Sequence, residues 1–211
     1  VGELDVEMTI NEYFNKVIVI NLARRPDRWK HAQEQLSGYG IQADRFEAVD
    51  FGPDMGNHGC TASHRAVMEL IIKEGWPRTL ILEDDFEFRF PDTQKMFGEM
   101  VPEVPDDWFQ LYLGGHYGNP PIRRISAHVI QSAHMKTTSS VAITLEAAKI
   151  MAPVIEGVGP IDELYSNFHL THPCYIFQPR LAIQYANHSD LQKRHCDNKP
   201  SMVDVYHESL V

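Results

Sequence analysis

Two short runs constrain this chain more than anything else in it. Residues 16–22 read KVIVINL and residues 78–82 read RTLIL, each apolar through its centre with no polar alternation. A strand with one face in water alternates apolar and polar side chains. A run that does not alternate is covered on both faces, as in a central strand with helices on either side. The first run is followed by Arg24 and Arg25, then by Pro26, which suits a first helical turn. Trp29, Ala32 and Leu36 then form an apolar stripe that ends at Gly38 and Gly40.

The same alternation of strand and helix continues. Residues 43–49 form a second short strand with Phe46 and Ala48 as apolar positions, closing on Asp50 before a turn-rich stretch over 52–59. A helix is expected over 62–74, where Ala66, Val67, Leu70 and Ile71 recur at three- and four-residue steps and Gly75 ends it. Further strands are expected over 108–113, 141–143, 175–177 and 181–184, with helices over 145–155 and 159–170. The fold class is therefore α/β: a sandwich with a mainly parallel central sheet, whose ligands bind beyond the strand C-termini. With 211 residues, 43% of them hydrophobic and 23% charged, the chain fits a single domain over 1–211 with a polar tail from 193.

The net charge of -10 argues against nucleic acid as a partner, because phosphate binding needs a basic face. An anionic small substrate would need a bound cation or local arginines to reverse that field. Cys60, Cys174 and Cys196 are odd in number and lack metal-type spacing, so reduced thiols and a cytoplasmic setting are expected. No apolar run approaches the roughly 20 residues that span a bilayer, and the first residues lack the pattern of a signal peptide.

Glu83, Asp84 and Asp85 directly follow the second buried run. Crowded carboxylates repel and raise one another's pKa, a cost that a divalent cation with oxygen ligands relieves. A solvated acidic turn is the alternative, but the end of a central strand is where open α/β sheets hold ligands. Arg24, Arg25 and Arg28 fall at the same sheet edge, where guanidinium forks suit phosphate oxygens or are ordinary surface. Ser63 and His64 open the expected 62–74 helix, where free amides could meet an anion or Ser63 could serve as an N-cap.

In order along the chain stand VIVINLARRPDRW, FEAVD, GCTASH, LILEDD, SSVAITLEAAKIM, GPIDELY and QYANHSDLQ. Taken together, over residues 16–192, this ordered set resembles the family 25 glycosyltransferases that act on lipopolysaccharide and collagen. The resemblance implies a type A glycosyltransferase fold, a Rossmann-like α/β/α sandwich. It implies Mn2+ (or Mg2+) as cofactor, a UDP-hexose donor, with galactose or glucose favoured, and a saccharide or hydroxylated protein acceptor. By the same resemblance Asp85 is a metal ligand, with Glu83 and Asp84 near the ribose, the sugar or the metal's waters. Asn21, Leu22, Arg25, Arg28 and Asp50 would line the nucleotide pocket, bordered by Ser63 and His64. His188, in the NHSD segment, would be a further metal ligand. Asp162 would be the base of an inverting transfer; Glu163 is its neighbour, and both also suit a helix start after Pro160. Where the family pattern has a glycine and an aromatic residue, this chain reads Thr138, Ser139, Ser140, Val141 and Ala142, which leaves the sugar open. A non-catalytic nucleotide-sugar or carbohydrate-binding module is the main alternative. A phosphatase or nucleotidyl-transfer enzyme has less support, for the chain has no P-loop.

Overall fold

The computed structural model describes residues 8–52, 54–155 and 159–185, and the backbone of 187–189 and 194–196. One eight-stranded sheet organises them. From edge to edge its strands are Asp44–Glu47, Lys16–Asn21, Arg78–Glu83, Ser140–Thr144, Gln110–Tyr112, Cys174–Phe177, Val129–Gln131 and Arg123–Arg124. Lys16–Asn21 is parallel to both its neighbours, and Cys174–Phe177 is parallel to Gln110–Tyr112. Ser140–Thr144 and Val129–Gln131 run against their neighbours, so the sheet is mainly parallel in strand direction with two strands reversed.

The two apolar runs lie in the centre because both their faces are covered. Side chains alternate across a strand, and here the alternation sorts them into two cores. Val17, Val19, Leu80 and Leu82 pack with Ala32 and Leu36 of the helix Pro26–Gly38 and with Phe97 of Thr93–Met100. Ile18, Ile20 and Ile81 pack with Val67, Met68 and Ile71 of the helix Gly56–Glu74 and with Ala147, Ala148 and Met151 of Leu145–Met151. The result is the Rossmann-like α/β/α sandwich that the resemblance implies. Leu80, Ile81 and Leu82 are each fully buried, a gain of about 1.5–3 kcal/mol per side chain relative to exposure. None of the described helices is long and apolar enough to cross a membrane.

Pro26 opens its helix as expected, and Gly75 ends the long helix with φ of 70°, a left-handed conformation that costs glycine little. The start of that long helix differs from expectation. It begins at Gly56, so residues 56–61 are helical instead of turn. The cause is packing: a Cβ on Gly59 would stand 2.6 Å from the Val49 carbonyl oxygen. Gly59 lets the helix press against the end of the neighbouring strand, and its presence signals close approach, not a break. The expected 159–170 helix is shorter, Ile161–Ser166, with turns after it.

The strand Phe86–Phe88, unforeseen in the sequence, follows the acidic turn directly and pairs antiparallel with Ala182–Gln184. A second small pair, His116–Tyr117 with Met135–Lys136, lies beside Ile161–Ser166. The strand expected over 181–184 is thus present as Ala182–Gln184, while Phe86–Phe88, His116–Tyr117 and Met135–Lys136 left no mark in the sequence because such short strands are fixed by their partners, not by their own pattern.

Candidate functional site

The acidic residues sit where the strand Arg78–Glu83 turns into Phe86–Phe88. Their backbone is anchored from three directions. The Glu83 amide donates to the Ser139 carbonyl at 3.0 Å, the Asp84 amide to that of Ile20 at 3.1 Å, and the Tyr185 amide to that of Asp85 at 2.9 Å. The turn is thus held at the meeting point of three chain segments, and it is no solvated loop: Asp84 and Asp85 are 5% and 4% exposed.

Arg28 is the principal counter-charge. Its Nη1 lies 2.9 Å from Asp84 Oδ1 and 3.3 Å from Asp85 Oδ2. Asn21 donates to the other Asp84 oxygen at 2.6 Å and itself accepts from Arg45 at 2.6 Å. Gln184 donates to Asp85 Oδ2 at 2.8 Å. Asp85 Oδ1 is buried with no hydrogen-bond partner. Burial pushes the Asp85 carboxyl up to about 7; Arg28 pulls against it, while Glu83 and Asp84 add to the rise. Burial likewise raises Asp84 against the pull of Arg28. Glu83 goes the other way. Burial would raise it, but hydrogen bonding and charge from His64, the Thr138 hydroxyl and Arg28 together outweigh burial and hold it below the usual value.

A cleft opens over this turn. Glu83, Asp84 and Asp85 form one wall, Leu22, Arg24 and Arg28 another, and Asp50, Cys60, Ser63 and His64 a third. Arg24 pairs with Asp50 at 2.8 Å, and Asp50 also accepts from the Gly52 amide. Of the residues expected in a nucleotide pocket, Leu22, Arg28, Asp50, Ser63, His64, Glu83 and Asp84 line this cleft, together with the expected metal ligand Asp85. Asn21 stands behind it, bonded to Asp84, and Arg25 turns aside to pair with Asp27 at 2.8 Å.

Ser63 and His64 do not open their helix; they lie two turns inside it. Their amides are therefore not free, and Ser63 is not an N-cap. The Ser63 hydroxyl donates to Gly59 O at 2.6 Å and accepts from the Val49 amide at 2.8 Å, tying helix to strand end. His64 is fully buried, with Nδ1 3.0 Å from the Tyr165 hydroxyl and Nε2 3.2 Å from Glu83 Oε1. One donor atom from each of Cys60, His64 and Glu83 lies within 4.8 Å of the other two.

Asp162 and Glu163, adjacent in sequence, have different surroundings. Asp162 Oδ2 accepts from the Thr137 amide at 3.3 Å, next to Thr138, the partner of Glu83. Glu163 is exposed and pairs with His134 at 2.9 Å and Lys136 at 3.1 Å. His188 is on the strand Asn187–Ser189, and its side chain lies outside the described residues. Sequence reasoning missed Thr138, Gln184 and Tyr165 as partners of the acidic turn and of His64. A serine- and threonine-rich stretch at 137–140 was the sole hint of the first.

Residues 55–142, which span the long helix, the acidic turn and Thr138, match the sequence model described as "Glycosyltransferase family 25 (LPS biosynthesis protein)". Among curated proteins, the chain is 25% identical to "Probable inactive glycosyltransferase 25 family member 3" of Bos taurus, over 76% of this chain and 32% of that protein. It is 25% identical to "Procollagen galactosyltransferase 2" of Mus musculus, over 76% of this chain and 31% of that protein. The chain thus spans about a third of the length of these relatives. A solved structure, "crystal structure of a glycosyltransferase involved in the glycosylation of the major capsid of PBCV-1", is similar with a TM-score of 0.42 and 11% identity, over 67% of this chain and 66% of that one. Over residues 55–142, and more thinly along the stretches shared with these relatives, the chain is similar to glycosyltransferase family 25.

Proposed function

We propose that the chain is a metal-dependent inverting glycosyltransferase that moves a hexose, galactose or glucose, from a UDP-sugar to a saccharide or hydroxylated protein acceptor. The observation that carries this reading is Asp85. A carboxylate buried at a strand end, with Oδ1 unpartnered and two further acids beside it, fits a divalent cation with oxygen ligands. Mn2+ or Mg2+ would be held by Asp85, with His188 as a second ligand, and when bound supplies positive charge to the diphosphate leaving group.

The chain's own residues do the rest. Leu22, Asp50, Ser63 and His64 form the nucleotide wall of the cleft, with Asn21 and Arg25 supporting the Arg28 helix start. Arg28 orients Asp84 and Asp85 and offers its guanidinium toward phosphate. Asp162 accepts the proton of the acceptor hydroxyl as that oxygen attacks the anomeric carbon. Its carboxylate is held by the Thr137 amide, whereas Glu163 is occupied by His134 and Lys136, which favours Asp162.

A second reading has its own support. The bovine relative is named as probably inactive, and Arg28 already pairs with both Asp84 and Asp85; a non-catalytic nucleotide-sugar-binding module would keep these features. A panel of nucleotide sugars, assayed for hydrolysis and transfer with and without Mn2+, separates the two. Mn2+-dependent release of one nucleotide, lost in Asp85→Ala and Asp162→Asn, supports the enzyme. Binding without turnover supports the module, and no binding with any metal rejects both.

A further inference from the structure

Cys60 and His64 are four residues apart on the helix Gly56–Glu74, so both point the same way, and Glu83 at the end of the central strand faces them. Their donor atoms lie within 4.8 Å of one another. The set is chemically unlike the Asp84–Asp85 side of the turn: a thiol, an imidazole and one carboxylate. The thiolate is what sets this group apart, since a soft sulfur ligand selects zinc-like cations over Mg2+ and Mn2+, which favour oxygen-rich sites.

We propose that Cys60, His64 and Glu83 form a second cation site, one selective for Zn2+, with its remaining coordination position open to the cleft. Three protein ligands and one open position is a common arrangement for zinc outside structural sites. A second observation points the same way. Ligating histidines usually engage their other ring nitrogen with a fixed partner, and here the buried Tyr165 hydroxyl stands 3.0 Å from Nδ1, leaving Nε2 toward Glu83. The ligands come from a helix and a core strand, so the site is rigid. Zn2+ binding displaces the Cys60 thiol proton to solvent and forms the Zn–S bond, with no change of oxidation state. Because Glu83 also faces the donor cleft, zinc held here withdraws that carboxylate from any ligand in the cleft. The assignment stands apart from the donor reading, since it requires no nucleotide sugar.

The test is an anaerobic titration of the full chain with Co2+, followed by absorption. One equivalent should give a thiolate-to-cobalt charge-transfer band in the near ultraviolet, erased by Zn2+ and unaffected by equal Mg2+ or Mn2+. Cys60→Ser should abolish the band while keeping the wild-type thermal transition. Cys174→Ser, Cys196→Ser and Asp85→Asn should each retain it. A wild type without the band, a band that survives Cys60→Ser, or a band lost in Asp85→Asn would overturn the proposal. The Cys60 and Asp85 variants decide the matter even if His64→Gln does not fold.

Discussion

Gly59 and Val49 touch through backbone and empty space: a Cβ at Gly59 would come within 2.6 Å of the Val49 carbonyl oxygen. That contact sets the helix Gly56–Glu74 against the strand end from which Asp50 enters the cleft. Gly59→Ala should therefore lower stability by about 1–3 kcal/mol, the usual cost of overpacking. A thermal melt checks this. Nucleotide affinity should fall as well, because the Ser63 hydroxyl that bridges Gly59 to Val49 must move with the helix.

Arg28 is the cation on which the buried acids depend when no metal is bound. Arg28→Met should destabilise the chain by about 3–5 kcal/mol in chelator, the cost of leaving buried charge unpaired. Adding Asp85→Asn to that variant should recover part of the loss, since one uncompensated carboxylate is then gone. Denaturant titration of the two variants measures the difference, and no recovery would mean that Asp84 alone carries the penalty.

Asp162 and Glu163 should separate cleanly in activity. Asp162→Asn is expected to reduce transfer by roughly 10²–10⁴-fold, the range of a lost general base. Glu163→Gln removes an exposed partner of His134 and Lys136 and should change stability by less than about 1 kcal/mol and transfer only slightly. Equal losses in both variants would point to a shared structural role.

His169 makes folding depend on pH. Its Nε2 lies 2.7 Å from Gln110 Oε1, and its Nδ1 accepts from the Met135 amide at 3.2 Å, which leaves no acceptor for a second ring proton. Burial pulls its pKa down from 6.5 to about 3. Below pH 6.5 the unfolded chain takes up a proton that the native ring refuses, so stability is fully present above 6.5 and falls as pH drops toward 3. The slope from this group is on the order of 1 kcal/mol per pH unit. Melting curves between pH 7.5 and 5 should show the fall, and His169→Gln should flatten it whatever it does to the absolute melting temperature.

The sequence alone determined the central strands and the acidic turn at the end of one of them. The runs at 16–22 and 78–82 are too apolar to be exposed on either face, and the position of Glu83, Asp84 and Asp85 follows from that of Leu80, Ile81 and Leu82. Pro26 and Gly75 marked helix ends for equally local reasons, fixed φ in one and a left-handed cap in the other. The start of the long helix was illegible because Gly59 reads as a breaker in sequence and acts as a packing contact in space. The reversal of Ser140–Thr144 was illegible because a short buried strand carries no mark of its direction.

The site needed the tertiary structure for the same kind of reason. Arg28, Thr138 and Gln184 are brought to the acidic turn from 56, 55 and 99 residues away, and no local pattern encodes a contact at that separation. The fold also distinguishes two neighbouring acids, giving Asp162 to the Thr137 amide and Glu163 to surface cations. Residue type sets which chemistry is available, through local sterics and polarity. Which groups meet, and which are left unpartnered in the core, is decided by the packing of two helical layers against one sheet.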